Sequence, residues 1–209
     1  MMNTEILEDL KKDFRGDIDQ KEETLKTYSR DASLFEIRPK VILFPKDSKD
    51  VEMGVRWVNK NKEKDHSLSL TARSAGTDMT GGPLNESVIL DFTRYMNKII
   101  EVKDGYGIVE PGCFYRDFDK ETRKINQIMP TYTASREICA VGGMVANNSG
   151  GEKSIKYGKV ENHLLKLKVV FSDGNEYEIK PMTISELEQK ITESNFEGNL
   201  YQKIHSLIK

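Results

Sequence analysis

TARSAGTDMTGG, residues 71–82, is the stretch of this sequence that decides its fold. An alternating apolar run, Leu68 to Ala72, leads into the stretch, and a second strand-like run, Ser87 to Phe92, follows it. Glycines and small hydroxyl residues allow a loop to fold its backbone N–H groups around an anion, because no Cβ blocks the approach of a phosphate. We interpret the stretch as a diphosphate cradle for a dinucleotide, although a tight connection between two strands would use the same residue types.

A strand, helix, strand pattern surrounds this loop. Val41 to Pro45 is a short apolar run that ends in proline, which predicts a buried strand. Asp47 or Ser48 can cap the helix that follows. The apolar face predicted for this helix carries Val51, Val55 and Val58. The run from Leu68 supplies the second strand, so the loop lies at the carboxyl end of a strand, where open α/β sheets bind ligands.

The second half of the sequence predicts two β-hairpins and further helices. Asp104-Gly105 is a strong hairpin signal between two apolar runs, and Ser172 to Asn175 joins a second strand pair. A helix is predicted from Tyr115 to about Asn126. The side expected to be buried carries Phe118, Thr122 and Ile125. Thr183 with Glu186 fits a capping box at the start of another helix.

The two ends of the chain also show helical patterns. Met1 to Phe14 predicts an amphipathic helix, with apolar residues four positions apart. The polar composition of Gly16 to Ser33 predicts a surface linker. The last helix carries an apolar stripe formed by Leu200, Ile204, Leu207 and Ile208.

Composition and charge describe an ordinary soluble globular chain. Of its 209 residues, 37% are hydrophobic and 32% are charged. The 32 Lys and Arg residues nearly cancel the 34 Asp and Glu residues, so the net charge of -2 gives no general attraction to nucleic acid or anionic lipid. No apolar run approaches the roughly 20 residues of a transmembrane helix, and the first residues lack the apolar core of a signal peptide. We expect a cytoplasmic protein.

The cysteine and histidine residues predict neither a disulfide nor a metal site. Cys113 and Cys139 stand in unrelated contexts, which favours buried free thiols in a reducing compartment. His66, His163 and His205 show no ligand spacing to one another or to the cysteines, so we expect no zinc or iron site.

A second glycine-rich stretch, AVGGMVANNSGG at residues 140–151, follows the segment Pro130 to Ser135. Its two glycine pairs are a poor design for a hydrophobic core, because glycine costs chain entropy and contributes no packing. Close approach of the backbone to a large flat ligand would explain them, with amide and Asn groups binding its polar edge. An elaborate loop without a ligand is the alternative.

The two glycine-rich stretches, together with Val109-Glu110-Pro111-Gly112 and Tyr157-Gly158, occur in the order and approximate spacing of one family. From about Tyr28 to Gly174 the sequence resembles the FAD-binding domain of the vanillyl-alcohol oxidase and p-cresol methylhydroxylase superfamily, in its D-lactate dehydrogenase and glycolate oxidase subunit branch. The resemblance implies an α+β fold of two subdomains, a small α/β subdomain and a larger mixed-sheet subdomain.

The resemblance also implies which residues bind FAD. Residues 73–82 match the family's pyrophosphate loop, Ser135 and residues 141–143 match a segment along the flavin nucleotide, and residues 147–150 match the segment near the ribityl chain and isoalloxazine. The expected FAD-binding residues are Arg73, Ser74, Ala75, Gly76, Thr77, Asp78, Gly81, Gly82, Ser135, Val141, Gly142, Gly143, Asn147, Asn148, Ser149, Gly150, Tyr157 and Gly158. Val109 to Gly112 is expected to shape the strand beneath the site.

Two residues of the first loop depart from the family pattern. Members that attach FAD covalently carry a histidine where this sequence has Thr77, so the resemblance implies non-covalent FAD. Asp78 stands where small hydroxyl residues are usual. A carboxylate beside a diphosphate would be repelled unless it points away.

The expected domain organisation is an N-terminal helix and lead-in at residues 1–35, followed by the FAD-binding domain at 36–209 with subdomains at about 36–90 and 91–209. In the family a substrate-binding cap domain follows, whereas this chain stops at Lys209 within an amphipathic helix. We expect a truncated product, or one subunit awaiting a partner, that is not competent alone. The catalytic bases and metal ligands of the dehydrogenase branch would lie in the missing part, so the catalytic residues are unknown.

The function expected from the resemblance is that of the FAD-binding domain of a flavin-dependent oxidoreductase acting on small 2-hydroxy acids of the D-lactate or glycolate type. A non-catalytic flavin-binding or assembly subunit is the alternative from another class, and a homo-oligomer or partner chain would fit it. A degenerate domain without flavin, and a relative of the superfamily's cell-wall precursor reductases, are further alternatives.

Overall fold

The structure, a computed structural model, describes residues 4–208. Helices α1 to α8 span Thr4–Lys11, Glu22–Tyr28, Ser48–Asn61, Tyr115–Arg123, Val141–Ala146, Ser154–Tyr157, Ile184–Lys190 and Phe196–Ile208, with a 3-10 turn at Val160–His163. Strands β1 to β8 span Asp17–Asp19, Val41–Phe44, Leu70–Arg73, Val88–Asp91, Ile99–Lys103, Tyr106–Val109, Leu167–Val170 and Glu176–Ile179. The predicted first helix is confirmed at Thr4–Lys11; residues 1–3 of that prediction lie outside the described residues.

A four-stranded sheet organises the first half of the chain, in the order β1-β2-β4-β3. The inner strands β2, β4 and β3 are parallel, and β1 pairs antiparallel with β2. Strands β2 and β4 are buried along their whole length because helices cover both of their faces. The core beneath α1 and α3 contains Val41, Leu43, Val88 and Leu90, and the core beneath α2 contains Leu25, Ile42, Phe44 and Ile89.

The predicted surface linker at Gly16 to Ser33 is wrong. It contains β1, which extends the sheet, and α2, whose Leu25 is buried against Ile42 and Phe44. β1 and α2 each carry too few apolar residues to show a periodic hydrophobic pattern. Their structure depends on contacts with a sheet whose other strands come later in the sequence.

Helix α3 begins as predicted, since the Asp47 carboxylate accepts hydrogen bonds from the amides of residues 49 and 50. Its buried face, however, is rotated by one residue from the predicted valine face. The valines are half-buried, whereas the buried face carries Asp50, Gly54, Trp57 and Asn61. Glu52 is also buried, but on the opposite side of the helix. A Cβ on Gly54 would lie 3.9 Å from Leu70 and 4.0 Å from Leu90, so the helix packs closely on β3 and β4 there.

The second hairpin, β7-β8, docks on the outer side of α3. The buried Glu52 carboxylate accepts a hydrogen bond from the Glu176 amide at 3.1 Å. Arg56 donates to the Asn175 side chain at 2.9 Å, and Asn59 donates to the Ser172 carbonyl at 2.6 Å. These contacts join the first half of the chain to the second.

Replacing Glu52 with alanine should weaken this junction. The change leaves the Glu176 amide without its acceptor, at an expected cost of about 1 to 3 kcal/mol of unfolding free energy. A urea titration followed by circular dichroism measures the loss, and Glu52→Gln, which keeps an acceptor oxygen, is the matched control. Equal loss in both variants would mean that the charge, and not the hydrogen bond to Glu176, holds the hairpin.

This junction should also weaken in acid. Burial acts to raise the pKa of Glu52, but the Lys49 ammonium and the Glu176 amide outweigh it, so the pKa lies below the ordinary value. A depressed carboxyl pKa stabilises the folded state at neutral pH, and that stabilisation is lost as the pH falls through the depressed value.

The rest of the second half consists of the β5-β6 hairpin and short helices. Gly105 supplies the positive φ of 85° that the predicted Asp104-Gly105 turn needs. Helix α4 buries Tyr115, Phe118 and Thr122 but ends at Arg123. The predicted burial of Ile125 is therefore wrong: it lies beyond the helix and is 41% exposed.

Both cysteines are buried free thiols, as predicted. Burial raises the pKa of Cys113 to about 11, which keeps its thiol protonated and unreactive at neutral pH. Thr183 and Glu186 form the predicted capping box of α7. The stripe on α8 is left uncovered by the described residues, with Leu207 85% exposed. Among the described helices, none combines the length and apolar character needed to cross a bilayer.

Candidate functional site

The first glycine-rich loop begins at the carboxyl end of β3, as the sequence predicts. Arg73 is the last residue of that strand and pairs in register with Asp91, the last residue of β4. The Phe92 amide then donates to the Arg73 carbonyl at 3.0 Å. The loop therefore lies at the carboxyl edge of the parallel strands.

The Arg73 side chain is used within the protein. Its guanidinium donates to the backbone carbonyls of Arg30 at 2.8 Å and Tyr28 at 3.4 Å, and it lies 5.0 Å from the centre of the Tyr28 ring. Gly76, with a φ of 66°, packs on this guanidinium, since an added Cβ would lie 2.4 Å from an Arg73 nitrogen. Arg73 thus clamps the end of α2 to the loop.

The middle of the loop leaves backbone donors unused. Within residues 4–208, the amides of Ala75, Gly76 and Thr77 donate to no protein atom. Amide groups of successive residues around a glycine with positive φ make a concavity that binds anions. Within the described part of the chain, no protein acceptor occupies this part of the predicted cradle.

The end of the loop is closed by Asp78. Its carboxylate accepts hydrogen bonds from the Thr80 hydroxyl at 2.6 Å, the Gly82 amide at 2.9 Å and the Thr80 amide at 3.2 Å. The Thr80 hydroxyl and the Gly82 amide lower the pKa of Asp78, so it is a carboxylate at neutral pH. Asp78 points into its own loop.

The Pro111 carbonyl brings the two glycine-rich stretches together. It accepts the Ser74 hydroxyl at 3.1 Å and the Gly142 amide at 2.9 Å, and the Cys113 carbonyl accepts the Val141 amide at 2.8 Å. The segment Val109 to Gly112 therefore lies between the loop and the start of α5. The resemblance leads us to expect this segment to shape the strand beneath the site. No sequence signal shows that the Pro111 carbonyl accepts hydrogen bonds from both glycine-rich stretches.

The glycines of the second stretch serve different purposes. A Cβ on Gly142 would lie 2.6 Å from Pro111, and one on Gly151 would lie 2.0 Å from the Tyr132 carbonyl oxygen, so protein packing requires both. A Cβ on Gly143 would meet only the Ser74 Cβ, at an ordinary 3.7 Å. Gly143 is exposed, and its missing side chain leaves open space beside the loop.

The segment after α5 is held by its own hydrogen bonds. The Asn148 side chain accepts the Glu161 amide at 3.1 Å, and the Gly151 amide donates to the Ser154 hydroxyl at 2.7 Å. Asn147 is exposed. Since α5 has six residues at about 1.5 Å each, this segment starts about 9 Å along the helix axis from the Gly142 end.

The remaining predicted site residues lie in neighbouring loops. The Ser135 hydroxyl is 2.9 Å from the Thr133 hydroxyl, and the Ser135 carbonyl accepts the Cys139 amide at 2.8 Å. Tyr157 ends α6 and is 41% exposed, and Gly158 follows with a φ of 77°. No described contact joins these residues directly to the first loop.

A contact between Phe35 and the loop has no signal in the sequence. The Phe35 ring packs on Gly81, where an added Cβ would lie 2.9 Å from a ring carbon. Phe35 belongs to a polar lead-in without periodicity, so the sequence carries no signal for this contact. Among the described residues, no group of three or more His, Cys, Asp and Glu side chains could hold a metal ion.

Comparison with known proteins finds a family match and longer relatives. The sequence profile described as "FAD binding domain" matches residues 39–180. D-2-hydroxyglutarate dehydrogenase of Escherichia coli K12 is 28% identical over 195 residues, which cover 92% of this chain and 19% of that protein. D-lactate dehydrogenase of Archaeoglobus fulgidus is 26% identical over 146 residues, which cover 69% of this chain and 32% of that protein. The chain thus spans less than a third of the length of these relatives.

Solved structures show the same fold. Alkyldihydroxyacetonephosphate synthase matches with a TM-score of 0.73 at 20% identity, over 90% of this chain and 36% of that one. The match confirms the mixed α/β fold that the sequence resemblance implied.

Proposed function

We propose that this chain, which belongs to the FAD-binding domain family, binds FAD between the loop at residues 73–77 and the start of α5. The observation that carries the proposal is the open space at Gly143, next to Ser74, together with three loop amides that have no partner among residues 4–208. Backbone N–H groups are suited to a diphosphate, and a missing side chain permits its close approach. The residues present therefore fit the cofactor.

The chain's residues take different parts in the proposed site. Ala75, Gly76 and Thr77 donate to the diphosphate, and Gly143 leaves room for it. Arg73 holds the loop in place through its contacts with Tyr28 and Arg30. The other residues assigned by the resemblance are proposed to lie along the nucleotide and flavin: Ser135, Val141, Gly142, Asn147, Asn148, Ser149, Gly150, Tyr157 and Gly158.

The proposed activity is that of the flavin-binding part of an oxidoreductase for small 2-hydroxy acids. The relatives named D-2-hydroxyglutarate dehydrogenase and D-lactate dehydrogenase support this substrate class. When bound, FAD would accept the hydride of the substrate, while the protein supplies position and electrostatics. We propose that residues outside this chain, on the same polypeptide or on a partner, complete the substrate pocket.

Organisation and location are part of the proposal. We propose that the subdomain boundary near residue 90 lies at the end of β4, the last strand along the chain that joins the four-stranded sheet. The two buried free thiols support a reducing compartment such as the cytoplasm.

Purified protein should bind FAD and release all of it on acid precipitation. Thr77 replaces the histidine that would tether the flavin, so no covalent bond should hold the yellow colour in the pellet. At 100 times its dissociation constant, FAD should add about 2.7 kcal/mol of stability, seen as a higher melting temperature. Colour left in the pellet would contradict non-covalent binding, and no thermal shift with FAD would contradict the proposed function.

Dye reduction tests whether the substrate pocket is complete in this chain. The loaded protein is mixed with D-lactate, glycolate or D-2-hydroxyglutarate and an artificial electron acceptor. Because residues outside this chain are proposed to complete the pocket, we expect flavin binding without reduction. Reduction with any of the acids would contradict that part of the proposal and show an enzyme that is active on its own.

A further inference from the structure

We propose that Asp78 is a positioning residue of the cofactor site. Its carboxylate acts as an internal anion that accepts the backbone amides of Thr80 and Gly82, and so shapes the second half of the loop at residues 71–82. The inference rests on the proposed function, because it assigns the amides of residues 75–77 to the diphosphate. The closure of the loop by Asp78 does not require FAD, so it can be measured in the protein without FAD.

The contacts of Asp78 fix both its backbone and its side chain. Its carboxylate accepts the Thr80 hydroxyl, the Thr80 amide and the Gly82 amide, and its backbone carbonyl accepts the Ala32 amide at 3.1 Å. A carboxylate held by several donors closes a turn more firmly than a neutral acceptor, because hydrogen bonds to an ionised group are the stronger kind. The shape of the second half of the loop is therefore set before any ligand arrives.

Glycines allow this closure. A Cβ on Gly82 would lie 3.0 Å from the Asp78 carboxylate, and Gly81, with a φ of 85°, lies against the Phe35 ring. A larger residue at 82 would crowd the carboxylate, which would have to shift by a few tenths of an ångström relative to its donors. The glycine pair at residues 81 and 82 is thus explained by Asp78 and Phe35, without a phosphate.

This division of the loop explains how a carboxylate is tolerated beside a diphosphate. The Thr80 and Gly82 amides already have an acceptor, so a phosphate gains nothing by approaching them, and the charge of Asp78 would repel it there. The amides of Ala75, Gly76 and Thr77 have no such acceptor within the described residues. Asp78 thus directs the diphosphate to the first half of the loop.

The test compares Asp78→Ala with Asp78→Asn. Asparagine keeps an acceptor oxygen and loses the charge, whereas alanine loses both. We measure dissociation constants for FAD and for riboflavin, which lacks the diphosphate, by quenching of flavin fluorescence. Asp78→Ala should weaken FAD binding about tenfold and leave riboflavin binding unchanged. Asp78→Asn should fall between wild type and Asp78→Ala in its FAD affinity, because a neutral oxygen accepts weaker hydrogen bonds than a carboxylate.

Three results would overturn the proposal. Tighter FAD binding by both variants would mean that the carboxylate competes with the diphosphate. Equal weakening of FAD and riboflavin by Asp78→Ala would mean a general structural role. Wild-type affinity for FAD in Asp78→Ala would mean that the loop needs no internal anion.

Hydrogen exchange of the protein without FAD separates this inference from the proposed function. The Thr80 and Gly82 amides should exchange slowly in wild type, faster in Asp78→Asn, and at least tenfold faster in Asp78→Ala than in wild type. Wild-type protein that binds no FAD but shows this pattern would contradict the proposed function and leave the loop-closing role of Asp78 supported. Equal exchange in all three proteins would overturn the role of Asp78 whatever the FAD titration gives.

Discussion

Gly143→Ala should weaken FAD binding at least tenfold while leaving the protein without FAD as stable as wild type. The added Cβ meets only Ser74, at 3.7 Å, so the protein accommodates it without strain. Alanine inside a helix is favoured over glycine by roughly 0.5 to 1 kcal/mol, so the melting temperature should hold or rise slightly. The same Cβ projects into the space proposed for the cofactor, and FAD fluorescence titration measures the loss.

Gly142→Ala is the matched control on the neighbouring residue. Its Cβ would lie 2.6 Å from Pro111, so the start of α5 must shift, at a cost of about 1 to 3 kcal/mol. Gly142→Ala should therefore lower the melting temperature, whereas Gly143→Ala should not. Wild-type FAD affinity in Gly143→Ala would show that the cofactor does not use this space.

The position of the site could be predicted because it follows from local patterns. A buried apolar strand, a capped helix and a small-residue loop together place the loop at the carboxyl end of β3. The resemblance to a family of flavin oxidoreductases, carried by both glycine-rich stretches, is confirmed by the family match over residues 39–180.

The direction of the loop's charged side chains could not be predicted. Arg73 turns toward Tyr28 and Arg30, which lie more than 40 residues earlier in the chain, in a segment that the sequence marks only as polar. Asp78 turns toward amides two and four residues ahead of it. The orientation of Arg73 depends on partners that are distant in the sequence. The orientation of Asp78 depends on backbone φ values that the glycines permit but do not determine.

The glycines pose a similar problem. A sequence shows that Gly142, Gly143 and Gly151 are glycines, but not why. Backbone geometry separates two that are crowded by Pro111 and the Tyr132 carbonyl from one that borders open space. Protein packing already accounts for the two crowded glycines, so only the uncrowded position is left for a ligand to explain, and counting glycines overstates the evidence for a site.

Trp57→Ala should cause the largest loss of stability. Trp57 is 3% exposed, packs between α1 and the sheet, and donates its indole N–H to the Ile6 carbonyl at 2.8 Å. Truncating a buried tryptophan costs about 3 to 5 kcal/mol. For a chain of this size the melting temperature should fall by about 6 to 20 °C. Circular dichroism is the appropriate probe, because Trp57 is the only tryptophan.

Trp57→Phe separates packing from hydrogen bonding at this position. Phenylalanine keeps a large aromatic ring but removes the indole hydrogen bond to the Ile6 carbonyl, which keeps its helical partner within α1, so about 0.5 to 1.5 kcal/mol should be lost with that bond. FAD affinity at low temperature should match wild type in both variants, because Trp57 packs against α1 and the sheet core and not against the loop. Loss of FAD affinity in folded Trp57→Phe would instead mean that α1 and α3 control the geometry of the loop at the far end of β3.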